Sequence, residues 1–292
     1  MTLDPDLSVL LAAGRAAGLK PLAELTPGEL RARIKAGDPL SGGGPELARI
    51  TTETLPSGIG TRRYEPAGVR TDVPVVWFHG GGWTTGDLDY SDGFCRLLSD
   101  GLGAVVHSID YRLAPEHPFP SAVEDALGAV RVIARERPVL LAGDSAGGNL
   151  AAVCAQELPA SARGQLLVYP VLDTDVTTDS YRRNDGYVLG PAEMSWFFDQ
   201  YLPVPADRMS PRAAPLRGRS LARLAPAVVV VAGYDPLYDE GVAYAEALRS
   251  AGVPVTLLAF PSLVHGFLRF AGPVPAAAEA ARRIVAAAAA LL

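Results

Sequence analysis

Ser145 stands in Gly143-Asp144-Ser145-Ala146-Gly147, between the apolar run Val139-Leu140-Leu141-Ala142 and the helix-forming run Asn149-Leu150-Ala151-Ala152-Val153. A serine hydroxyl is a weak nucleophile unless it is held exposed, beside a base and near donors for the developing oxyanion. A sharp strand-to-helix turn exposes it and supplies one such donor. The turn needs small neighbours, which Gly143 and Gly147 provide. In a chain with 30 Gly among 292 residues the pentapeptide alone arises about once in ten such chains. The strand before it and the helix after it make it a nucleophile elbow.

Upstream, the buried-strand pattern of residues 73–78 ends in His79-Gly80-Gly81-Gly82-Trp83. Consecutive glycines leave backbone N–H groups open to a substrate oxygen, and each such oxyanion donor is worth roughly 3–4 kcal/mol. A phosphate-binding loop would need Gly-Lys-Ser/Thr after the glycines, and Trp83-Thr84-Thr85 follows instead. Where a strand-to-helix elbow of this kind carries the nucleophile, the order along the chain is nucleophile, acid, histidine. His79, His107 and His117 precede Ser145, which leaves His265, just past the apolar run 254–260. For the acid, Asp235 ends the apolar run 227–233 one strand before the histidine, and is preferred to Asp173, which follows the run 165–170. Asp239 reads as the N-cap of a helix opening at Glu240.

With these segments and Asp110-Tyr111-Arg112-Leu113-Ala114-Pro115-Glu116-His117-Pro118-Phe119-Pro120, Asp235-Pro236-Leu237-Tyr238-Asp239-Glu240-Gly241 and His265-Gly266-Phe267, the chain resembles the bacterial hormone-sensitive-lipase-like esterases of the α/β-hydrolase fold. The motifs span residues 73–268 in the family's order. The resemblance implies Ser145, Asp235 and His265 as the triad, and the amides of Gly81, Gly82 and Ala146 as the oxyanion hole. Trp83, where the family often has Phe, and Tyr238, at a variable position, are minor departures. The implied activity is hydrolysis of short-to-medium acyl esters through an acyl-enzyme, with no metal or organic cofactor. Removal of an N- or O-acetyl group from a secondary metabolite is the alternative. A non-catalytic binding protein on the same scaffold is disfavoured because His265 is present.

The rest of the chain bounds this reading. At 292 residues and 49% hydrophobic it can bury one large core, and a net charge of −6 argues against nucleic acid and anionic membranes as partners. The expected partner is a small-molecule acyl ester or acylated metabolite; a homodimer stays open. The acidic start Met1-Thr2-Leu3-Asp4-Pro5-Asp6 does not read as a secretory signal, and no apolar run reaches membrane-span length, so a cytoplasmic setting is expected. Cys95 and Cys154 read as buried free thiols with no metal-ligand spacing. Apolar runs at 48–55, 59–65, 73–78, 104–109, 138–142, 165–170, 227–233 and 254–260 alternate with helical patterns from the third onward. They predict one α/β domain over residues 1–292, an eight-stranded, mostly parallel, doubly wound sheet closed by a helix over 275–292.

Residues 1–45 and 176–215 fall outside the alternation, and the family likeness pairs them as a small helical cap over the active site. Trp83, Tyr187, Trp196, Phe197 and Phe198 are candidate pocket residues, although an aromatic stripe at helical spacing equally serves packing. Asp110, Tyr111 and Arg112 read as ties for the oxyanion loop, and His117 as structural. Asp144 reads as a brace for the elbow and Glu240 for the acid loop. Arg212, Arg217, Arg219 and Arg223 read as a solvated face.

Overall fold

The computed structural model describes residues 2–218 and 220–292; Arg219 lies outside the described residues. In chain order the elements are α1 (Pro5–Ala16), α2 (Pro27–Ala36), β1 (Arg49–Thr54), β2 (Gly60–Glu65), β3 (Val75–Phe78), α3 (Asp92–Leu102), β4 (Val106–Asp110), α4 (Ser121–Ile133) and β5 (Val139–Asp144). They continue with α5 (Ala146–Glu157), β6 (Ala162–Val168), α6 (Asp179–Arg183), α7 (Pro191–Tyr201), β7 (Ala227–Tyr234), α8 (Tyr238–Ser250), β8 (Val255–Val264) and α9 (Pro275–Ala288).

The strands form one eight-stranded sheet in the order β1-β2-β4-β3-β5-β6-β7-β8. β1 and β2 are antiparallel neighbours, as are β2 and β4; every later pairing is parallel. Alternate residues of the central strands feed two cores, one on each face. Val76, Phe78, Leu141, Leu167 and Val229 pack with residues of α4, α5 and α8. Val75, Trp77, Leu140, Leu166 and Val228 pack with residues of α3 and α9. A strand covered on both faces has no solvent side, which is why these segments read as continuous apolar runs.

The Ala-rich end is helix, as its composition predicts. It turns Ala277, Ala280, Ala281, Ile284, Val285 and Ala288 inward, and Val285 lies so close to Gly101 of α3 that a Cβ there would collide with it. α2 opens on a capping box in which Thr26 and Glu29 satisfy each other's backbone N–H groups. Cys95 and Cys154 are buried free thiols. Among the described residues, no helix is long and apolar enough to cross a membrane.

Two local expectations are corrected. β8 runs on through Pro261 to Val264. It is an edge strand, paired only with β7, so the missing proline N–H leaves no sheet partner unsatisfied. Asp239 is not an N-cap: α8 opens at Tyr238 with Leu237 in the capping position, and the Asp239 carboxylate accepts from the Ser180 N–H at 2.7 Å.

Candidate active site

Side chains gather where the parallel strands end, the position at which open α/β sheets bind ligands. Ser145 joins β5 to α5 with φ 54° and ψ −118°, a conformation that a non-glycine residue holds only when its surroundings enforce it. The first turn of α5 packs so tightly on the end of β3 that a Cβ on Gly147 would overlap the Phe78 carbonyl. Close approach, as much as flexibility, is what requires glycine there.

His265 is the first residue after β8 and Asp235 the first after β7. Ser145 Oγ lies 2.9 Å from His265 Nε2, and His265 Nδ1 lies 2.8 Å from Asp235 Oδ2. A carboxylate only accepts, so Nδ1 carries the proton and Nε2 is left free to accept from the serine hydroxyl. Asp235 is 1% exposed and its other oxygen accepts from the Leu237 N–H at 2.8 Å. The carboxylate therefore has one fixed orientation. The Tyr169 ring stands edge-on to the imidazole at 5.0 Å between centroids and closes that side. Chemically, the row can pass a proton from hydroxyl to imidazole while the buried carboxylate stabilises the cation that forms.

The glycine run lies beside this row. Gly81 and Gly82 have φ of 112° and 58°, in the left-handed region that favours glycine, and their amides donate to no other group among the described residues. The carbonyls of the same peptide units are anchored. The Gly80 carbonyl meets His79 Nδ1 at 2.7 Å, and the Gly81 carbonyl accepts from the Thr84 and Thr85 amides at 3.1 and 2.9 Å. Burial holds the His79 imidazole below its ordinary pKa, so it stays neutral, with its proton on the nitrogen that faces the carbonyl. Ala146 opens α5, so its N–H has no acceptor within the helix. Among the described residues, the Gly81, Gly82 and Ala146 amides are thus left without a backbone acceptor.

A cavity of about 410 Å³ lies over these groups, with Gly81, Gly82, Ser145 and His265 among its walls. The remaining walls come largely from the two segments outside the βα alternation: Leu22, Ile34 and Leu40 from the first, and Val188, Met194 and Phe197 from the second. Of the five candidate pocket aromatics, Trp83 and Phe197 line the cavity. The Phe197 ring covers Gly82 so closely that a Cβ there would collide with it. The other three do not line it. Phe198, one residue on along α7, turns into the core beneath Trp83, with centroids 6.1 Å apart. Trp196 stands edge-on behind Phe197 at 5.2 Å, and Tyr187 edge-on to Tyr234 at 4.9 Å. Successive helical residues point about 100° apart, so one α7 aromatic at a time can face the cavity.

The rival acid is committed elsewhere: Asp173 Oδ1 accepts from Arg217 Nε at 2.7 Å. Glu240 grips the chain after β6 rather than the acid loop, accepting from the Leu172 N–H at 2.6 Å. The acid loop is held instead from α6, where Ser180 Oγ donates to the Pro236 carbonyl, and by Asn184, whose Nδ2 donates to the Asp235 carbonyl at 2.9 Å. The basic stretch is only partly a solvated face, because Arg217 pairs with Asp173 and Arg212 with Glu157. Tyr111 does tie the oxyanion loop, donating to the His79 carbonyl at 2.7 Å, whereas Arg112 forks onto Asp125 and His117 is exposed. Arg31 escaped sequence reading. From α2 it donates to the Thr84 and Ala114 carbonyls, both at 2.9 Å, and pairs with Glu116. No local pattern marks an arginine that works across such sequence distances.

Asp144 braces the elbow as expected: it is 2% exposed and its Oδ1 accepts from the Gly80 N–H at 2.8 Å. Burial pushes its carboxyl up to about 7, against the pull of that hydrogen bond and of the His265 and Arg269 charges.

An elbow serine, a histidine and a buried acid at the ends of β5, β8 and β7, beside a glycine run after β3, define a hydrolase of the α/β-hydrolase class. Residues 75–269 match the family described as alpha/beta hydrolase fold, and the chain belongs to that family, in its hormone-sensitive-lipase-like branch. It is 41% identical to the carboxylic ester hydrolase LipN of Mycobacterium tuberculosis, over 91% of this chain and 77% of that protein. It is 36% identical to the ethyl acetate hydrolase of Pseudomonas putida, over 96% of each. Among solved structures, the hyperthermophilic esterase of Pyrobaculum calidifontis superposes with a TM-score of 0.92 at 34% identity, covering 100% of this chain and 99% of that one.

Proposed function

We propose that this carboxylesterase-type hydrolase cleaves short-to-medium acyl esters of small alcohols through an acyl-enzyme on Ser145. The observation that carries the reading is the unbroken row Ser145 Oγ, His265 Nε2, His265 Nδ1, Asp235 Oδ2, with spacings of 2.9 and 2.8 Å. His265 takes the hydroxyl proton as Ser145 Oγ bonds to the ester carbonyl carbon. The amides of Gly81, Gly82 and Ala146 hold the negative oxygen of the tetrahedral intermediate. As the intermediate collapses, protonated His265 gives its proton to the departing alcohol oxygen. Water then repeats the sequence on the acyl-enzyme and releases the acid, while Asp235 keeps the imidazole in the working tautomer.

The size of the acyl group follows from the cavity. Its walls are mainly apolar and it holds about 410 Å³, so the first few methylenes each gain roughly 0.8 kcal/mol of burial before the space is filled. Residues 1–45 and 176–215 act in this reading as the cap that sets that limit. A nitrophenyl ester series from acetate to palmitate is the test: kcat/KM should peak between about two and eight carbons. A serine-directed phosphonate should label Ser145 and no other serine. A maximum at palmitate would overturn the size limit, and label on Ser91 or Ser262 would overturn the nucleophile.

A further inference from the structure

Catalysis through Ser145 needs the Gly81 and Gly82 amides held in register with the serine hydroxyl. The serine and the amides sit on different loops, one after β5 and one after β3. The glycine run has no side chains of its own between His79 and Trp83; His79 Nδ1 and the Thr84 and Thr85 amides hold the Gly80 and Gly81 carbonyls, but the unit joining His79 to Gly80 has no such near neighbour in sequence. That unit has to be gripped from outside.

The peptide unit joining His79 to Gly80 is gripped at both ends. Its carbonyl accepts from the Tyr111 hydroxyl at 2.7 Å, and its N–H donates to Asp144 Oδ1 at 2.8 Å. The next unit carries the Gly81 N–H, and its carbonyl meets His79 Nδ1. A rotation of the 79–80 plane would therefore carry the Gly81 amide with it. Asp144 is also the covalent neighbour of Ser145, so the same residue that steadies the glycine run belongs to the nucleophile elbow.

Other features argue against a purely structural aspartate. The side chain is buried, and among the described residues no cation lies within ion-pair distance of it. Arg269, on its open side, is paired with Asp38 and stacked over Tyr90. A buried, unpaired carboxylate is costly to a fold. Among the described residues, the hydrogen bond its side chain makes to another element goes to the oxyanion loop.

We propose that Asp144 is a positioning residue for the oxyanion hole: by accepting the Gly80 N–H it locks the 79–80 peptide plane to the elbow, holding the Gly81 and Gly82 amides at the height of the Ser145 hydroxyl. The inference rests on the Ser145 reading. What it requires of residue 144 is an acceptor oxygen at the position of Oδ1, with or without charge. Loosening the plane weakens donors that matter most once the oxyanion has formed, so the effect falls on kcat rather than KM.

The experiment compares D144A, D144N and Y111F on a soluble nitrophenyl ester, with thermal melting run on each. D144A should lower kcat by about 10- to 100-fold, with KM within about threefold of the wild type, short of the full loss of an oxyanion donor. D144N, which restores an acceptor oxygen, should recover kcat to within about threefold of the wild type. Y111F, releasing the other end of the same peptide unit, should lower kcat by about 3- to 10-fold, again without a matching change in KM. The proposal is overturned if D144N loses as much kcat as D144A, or if D144A keeps kcat within twofold. Should D144A fail to fold, Y111F decides: a kcat loss supports the clamp, and an unchanged kcat rejects it. S145A, run alongside, separates this inference from the reading beneath it. Full activity in S145A would remove the nucleophile itself, whereas any result confined to residues 111 and 144 leaves the nucleophile in place.

Discussion

The floor of the cavity and its walls are built on different principles. On the floor, Ser145, Gly81, Gly82, Asp235 and His265 are placed by backbone: a strained elbow, a run of gripped peptide planes and two residues at strand ends. The walls are side chains such as Leu22, Ile34, Met194 and Phe197, borne on segments outside the βα alternation. A backbone-built region has one working geometry, and a change there should cost every substrate alike. A side-chain wall can be reshaped, and a change there should alter which ester is preferred.

The largest effect should come from S145A, with a fall in kcat of about 10⁶ that is equal for acetate and octanoate esters. Asp235→Asn should follow at about 10⁴, again independent of chain length, because the amide favours the wrong imidazole tautomer. D173N should leave kcat near the wild type, since that carboxylate is bound to Arg217. A dead D173N with a working D235N would place the acid on the other strand.

On the wall, F197A removes the ring over Gly82 and should raise the octanoate-to-acetate ratio of kcat/KM about tenfold, the worth of roughly two further buried methylenes. The neighbouring F198A should do the reverse. Fully buried beneath Trp83, it should lose about 3–5 kcal/mol of stability and leave the ratio unchanged. Equal shifts in ratio from both variants would erase the distinction between wall and core along α7.

The smallest effect concerns pH. Asp144 keeps its proton to about 7 in the fold, against 3.8 ordinarily. Between those values the unfolded chain binds fewer protons, so this residue lowers stability as pH rises from about 4 to 7 and adds no further slope above. D144N carries no charge to bury. Its melting temperature should therefore gain on the wild type across that window and hold a constant lead above it. A difference that is flat from pH 4.5 to 8.5 would mean the carboxyl is not held protonated by burial.

Most of the sheet was legible because buried parallel strands are written as apolar runs, and seven of the eight expected strands lie within about three residues of those observed at each end. The exception is instructive. The run ending at residue 260 is followed by proline, which reads as a stop, yet β8 continues to Val264 and sets His265 directly at its end. Only its place at the edge of the sheet made the proline harmless. Asp239 was misread for a related reason: it looks like a cap locally, but the N–H it accepts belongs to Ser180, far away in the chain.

By itself, the sequence determined the order of strands and helices, the elbow, the glycine run and one histidine eligible to follow the serine, because each rests on neighbouring residues or on order along the chain. Tertiary structure decided the rest. It set Asp235 against His265 and Arg217 against Asp173, turned Phe197 to the cavity and Phe198 to the core, and set Asp144 against the Gly80 amide. Each of these depends on which distant group occupies the facing position. Such contacts are made in space between elements whose packing no local pattern encodes, so they appear only when the chain is folded.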